Sequence, residues 1–160
     1  MTLIFISCNN PFAPKLADPI NNMSLLSDQK TVDGVFKNFR FAYIFKDTLV
    51  YGKLLDYDFS FVYRNYDTGI DNSWGRDVDM LTTYGLFQAT QNLDLIWNDV
   101  VTAVYQPDSL IADISRGFTL TIVFSPSDII HVQGRAIFRL NRKSNEDIWK
   151  IQNWRDESNY

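Results

Sequence analysis

Six side chains in this sequence of 160 residues have the chemistry of an acid–base site: Tyr43, Tyr63, Tyr84, His131, Trp154 and Asp156. A carboxylate taken out of water becomes a stronger base. Phenol and indole groups donate hydrogen bonds to charge that builds up on a substrate oxygen. Residue type alone does not single these six out, because the chain holds eight tyrosines and 19 acidic residues. His131 is the one histidine, so no multi-histidine metal site can be built. It stands at the start of a strand-like segment, where an ordinary edge histidine fits equally well. Asp156 follows Trp154 in the last strand-like segment, and it reads either as a pocket base or as the partner of a nearby arginine. Asp56 and Asp58 flank Tyr57 and read as makers of turn hydrogen bonds.

Other chemistries lack their residues. The lone Cys8 and lone His131 cannot form a zinc cluster. Asp67, Asp71, Asp77 and Asp79 crowd one stretch, but their spacing is not that of a calcium loop and the closing glutamate is missing. There is no glycine-rich phosphate loop and no G-x-S-x-G elbow. No cofactor and no metal are therefore expected. Fifteen basic against 19 acidic residues leave a net charge of -4, without the basic footprint that nucleic acid requires.

The elements that would position these residues follow from periodicity. The length suits a single domain with a core of its own. A hydrophobic content of 46% and an aromatic content of 15% argue against disorder. Val32, Val35, Phe36, Phe39 and Tyr43 recur at helical spacing. Asp47 or Thr48 is placed to cap a second, short helix that runs to Leu54-Leu55. Tyr57, Phe59, Phe61 and Tyr63 then alternate as in a strand. Residues 65–75 read as a turn-rich loop carrying Trp74, and Arg76 to Gln88 reads as a helix with Val78, Leu81 and Tyr84-Gly85 facing inward. Four strand-like segments follow, near residues 93–105, 109–124, 130–142 and 148–156, with short polar connectors that imply antiparallel hairpins. The expected fold class is α+β: N-terminal helices packed on one face of a strongly curved, mostly antiparallel sheet.

The N-terminus reads differently. Leu3-Ile4-Phe5-Ile6 is apolar and is followed by Ser7 and Cys8. This order resembles the end of a bacterial lipoprotein signal peptide, in which a lipid is attached to the cysteine. The resemblance implies lipid attachment at Cys8 and a place in the bacterial cell envelope. No basic residue precedes Lys15, so the signal lacks its usual basic start, and an upstream start codon is the simplest repair. A cytoplasmic protein with a short apolar N-terminal strand is the alternative. The division expected is a signal remnant over 1–8, a Pro- and Asn-rich tether over 9–30, and the folded domain over 31–160.

The order of elements, with Trp149-Lys150-Ile151-Gln152-Asn153-Trp154-Arg155-Asp156 as its closing strand, resembles the nuclear transport factor 2-like superfamily. Leu54 to Phe61, at the helix-to-strand junction, resembles it too. The superfamily includes ketosteroid isomerase, scytalone dehydratase and polyketide cyclases. Ketosteroid isomerase sets an aspartate base against a tyrosine and a protonated aspartate. The resemblance implies a cone pocket, for which Tyr43, Trp97, Trp154 and Asp156 are the expected lining. The leading functional expectation is a non-catalytic, membrane-anchored domain that binds a small apolar ligand or a protein partner. One alternative is an isomerase, dehydratase or cyclase with Asp156 or His131 as proton shuttle. Another is an interaction module that forms a homodimer through the outer sheet face.

Overall fold

The computed structural model describes residues 25–159. Cys8, the segment over 1–8 and the expected tether as far as residue 24 lie outside the described residues. Among the described residues, three helices and six strands follow one another: α1 (Val32–Ile44), α2 (Thr48–Leu54), β1 (Leu55–Asn65), β2 (Ile70–Gly75), α3 (Arg76–Ala89), β3 (Asn92–Tyr105), β4 (Ile111–Ser125), β5 (Asp128–Asn141) and β6 (Lys150–Asn159). No described helix is long and apolar enough to cross a membrane.

Helix α1 starts where the Thr31 hydroxyl accepts the Gly34 N–H at 3.0 Å. Its stripe Val35, Phe36, Phe39, Ala42 and Tyr43 is buried. The chain turns at Lys46, which adopts a positive φ of 54°. Asp47 then caps α2, its Oδ1 accepting the N–H groups of Leu49 and Val50 at 3.0 and 2.9 Å. That short helix buries Tyr51 and Leu54 completely.

The strands form one mixed sheet in the order β2-β1-β6-β5-β4-β3. All neighbours are antiparallel except β1 and β6, which run parallel. Register shifts interrupt β3 near Trp97 and Val100, and the β1–β6 pair between Leu55 and Ser60. Such irregularities bend strands and sharpen twist, which curls the sheet around the helices. On the outer face a ladder of ion pairs crosses four strands. Asp71 on β2 accepts from Arg64 at 3.2 Å and from Arg155 at 2.8 Å, and Glu157 accepts from Arg155 at 3.4 Å and from the Arg135 Nε at 2.9 Å.

Two expectations need correction. Residues 65–75 are not one loop. Asn65 accepts the N–H groups of Asp67 and Thr68 through its side chain, Gly69 turns at a φ of 69°, and Ile70–Gly75 returns along β1 as an edge strand. Helix α3 has the other face inward. Val78, Leu81 and Tyr84 are at least half exposed, whereas Asp79, Thr83 and Phe87 are buried. An inward stripe of Asp and Thr is possible because this face meets a cavity and polar partners instead of an aliphatic wall.

Candidate functional site

Strand parity builds the site. Cross-strand neighbours point to the same face, so Trp74, Phe61 and Trp154 line up across β2, β1 and β6. Tyr63 pairs with Asp156, and Asp156 pairs in turn with Ala136 on β5. Val132 sits opposite Leu120, which is itself opposite Leu95. These side chains, with Phe39 and Tyr43 from α1 and Asp79, Thr83 and Leu86 from α3, enclose a cavity of about 300 Å³. Eight of its 18 lining residues are aromatic, five are aliphatic and five are polar, so the wall is mainly apolar with a few placed polar atoms. Of the lining, Phe39, Tyr43 and Phe118 are buried, Tyr63, Leu86 and Ile122 half-buried and Thr82 exposed.

Trp154 joins the aromatic packing of α1, β1 and β5. Its ring meets Phe39, Phe61 and Phe138 edge-on at centroid distances of 5.4, 4.8 and 5.6 Å. Its indole N–H is buried and has no hydrogen-bond partner among the described residues. Trp97 differs, because its Nε1–H donates to the Phe36 carbonyl at 3.0 Å and so joins β3 to α1.

Two carboxylates reach this cavity. Asp156 is buried, and its Oδ2 accepts from the Ser158 hydroxyl at 2.9 Å. Asp79 is 3% exposed, and each of its oxygens accepts one neutral donor: Oδ2 from the Tyr51 hydroxyl at 2.6 Å, and Oδ1 from the Trp74 Nε1–H at 3.0 Å. Burial pushes the Asp79 carboxyl above its usual value, while the two donors pull it back. Tyr51 is raised well above the usual phenol range, first by burial and then by the charges of Tyr43 and Asp79. Tyr51, Asp79 and Trp74 therefore form one chain of hydrogen bonds.

The structure brings Tyr43, Trp97, Trp154 and Asp156 together on the wall of this one cavity, along with Tyr63 and Trp74. It separates two other candidates from it. Tyr84 is half exposed on the outer side of α3. His131 is exposed, with its Nδ1 3.1 Å from the Thr121 hydroxyl on the neighbouring strand. The adjacent Val132 takes the inward position, so parity turns His131 away and removes it as a shuttle for this cavity. Cys8 lies outside the described residues. Among them, no group of three or more His, Cys, Asp or Glu is placed to hold a metal ion. Asp79 is the residue that sequence reasoning missed. Its signal was the four-residue spacing of Asp79, Thr83 and Phe87, together with a tryptophan five residues before it.

No protein-family model matches the sequence, and no curated protein matches it in sequence. Solved structures do match the fold. A candidate scytalone dehydratase from Novosphingobium aromaticivorans superposes with a TM-score of 0.68 at 9% identity, over 88% of this chain and 86% of that one. A candidate dehydratase of the nuclear transport factor 2-like family from Streptomyces avermitilis gives 0.64 at 15% identity, over 83% and 96%. A hexachlorocyclohexane dehydrochlorinase gives 0.62 at 7% identity, over 88% and 87%. With its described helices packed on a curved six-stranded sheet, the chain has the α+β cone fold of the nuclear transport factor 2-like proteins.

Proposed function

We propose that this protein is a ligand-binding domain whose cone takes one small, largely apolar molecule. The observation that carries the reading is the 300 Å³ cavity, walled by eight aromatic residues and given a few polar groups near Asp79 and Asp156. A cavity of that size holds a ligand of one or two rings, and its polar groups would orient the ligand. Lipid attachment at Cys8, with residence in the cell envelope, is part of the same reading and is supported by the Leu3–Cys8 sequence. The intact mass of protein extracted from source membranes tests that part. The cavity is tested by calorimetric titration with indole and with toluene. One site is expected, and it should be lost in Val132→Trp, which plugs the wall. Absence of binding by both probes, or equal binding to the plugged variant, overturns the reading.

A second reading has specific support. Two of the structural neighbours carry dehydratase names and one is a dehydrochlorinase, all names of elimination reactions. In that reading Asp156 or Asp79 removes a proton from the bound molecule. The Asp156→Asn and Asp79→Asn variants would then abolish turnover while keeping affinity.

A further inference from the structure

We infer that the preferred occupant of the cone is an organic cation: a small aromatic or alkyl ammonium compound. The inference rests on the ligand-pocket reading and names its ligand class. Three observations converge on it. The cavity wall includes the carboxylates of Asp79 and Asp156, and none of its described residues is Lys, Arg or His. Asp79 is buried, and both atoms that donate to it, the Tyr51 hydroxyl and the Trp74 indole N–H, are neutral. Trp74, Tyr63, Phe61 and Trp154 stand side by side on the wall, with Phe61 stacked on Trp74 at 4.5 Å and edge-on to Trp154 at 4.8 Å.

The chemistry of each ligand charge decides among the alternatives. An anion would enter a cavity that already holds carboxylates and offers no basic side chain. A neutral molecule would bury the Asp79 charge further, with nothing of opposite sign beside it. A monocation supplies that opposite sign. It also places its charge against aromatic faces, which attract a cation most strongly where water is excluded. Arg76, on the same helix as Asp79, is engaged elsewhere, donating to the Gly52 carbonyl at 2.9 Å. Burial raises the Asp79 carboxyl, and the two donors directed at its oxygens act in the opposite sense, as a cation beside it would.

Phenyltrimethylammonium and tert-butylbenzene have nearly the same shape and differ in charge, and benzenesulfonate supplies the anion. Binding of each to the purified protein is read by quenching of tryptophan fluorescence. The cation is expected to bind at least about tenfold more tightly than tert-butylbenzene, with benzenesulfonate weakest. Asp79→Asn is expected to weaken the cation by about tenfold and to leave tert-butylbenzene within about twofold. Equal or tighter binding of tert-butylbenzene to the wild type overturns the cation assignment and leaves the apolar pocket standing. An unchanged cation preference in a folded Asp79→Asn variant also overturns it. If none of the three probes binds, both readings fall. The wild-type ratio alone decides the matter if Asp79→Asn does not fold.

Discussion

Asp79 is held by two hydrogen-bond donors at a depth where charge is costly, so its environment can be measured through stability. Removing the Tyr51 hydroxyl takes away the 2.6 Å donor and leaves the buried Asp79 Oδ2 without it. Tyr51→Phe is expected to lower stability at neutral pH by about 1–3 kcal/mol, read from urea unfolding. The pH dependence has a definite sign. The folded Asp79 carboxyl lies above its unfolded value of about 3.9, so the native state binds this proton more tightly than the unfolded chain does. Its contribution is fully present below that value and declines as pH rises through the raised folded value. Asp71 and Glu157 behave oppositely: hydrogen bonds from Arg155 to Asp71 and from Arg135 to Glu157 hold these carboxyls low. Their contributions exist above the unfolded values and fade as acid protonates the folded groups. Comparing wild type with Asp79→Asn isolates the first effect. The stability difference should move against the wild type as pH climbs above about 4. A difference that stays flat with pH would refute the shift.

At the scale of elements, the approach of β5 to β6 sets the position of the pocket carboxylate. Gly134 pairs with Ser158, and a Cβ added there would stand 2.5 Å from the Ser158 Cα. Gly134→Ala must therefore push the strands apart, and the hydroxyl that Ser158 gives to Asp156 moves with them. A loss of about 1–3 kcal/mol is expected, with a changed near-ultraviolet circular dichroism signal from Trp154. Capping offers a milder test: Asp47→Ala should cost about 1 kcal/mol by freeing the first turn of α2.

The elements also show where sequence was a good guide. The Val35-Phe36-Phe39-Tyr43 stripe and the alternation through β4 and β5 were legible because each buries one face against an apolar core. The family resemblance implied a cone pocket, and Tyr43, Trp97, Trp154 and Asp156 were its expected lining. The face of α3 was not legible, because hydrophobic periodicity assumes that apolar residues turn inward. Here Val78 and Leu81 face out so that Asp79 can face the cavity. Strand β2 was hidden by its turn-forming composition, since an edge strand with exposed residues needs little apolar alternation.

For the molecule as a whole, the sheet order carries a consequence for synthesis. Strand β6 lies between β1 and β5, yet it is the last of the described strands in the chain. Until it emerges from the ribosome, β1–β2 and β3–β4–β5 are two separate sheets, and each has an unpaired edge that β6 later fills. The parallel contact with β1 closes a loop spanning nearly the whole domain, an entropically slow step. Nascent chains halted before Lys150 should be cut readily by protease, whereas chains that have released β6 should resist. Because Trp154, Asp156 and Ser158 all arrive on that strand, the cavity does not exist before β6 has been made. A ligand can therefore reward only a chain that already carries β6, and until then the two open edges are free to pair with other strands.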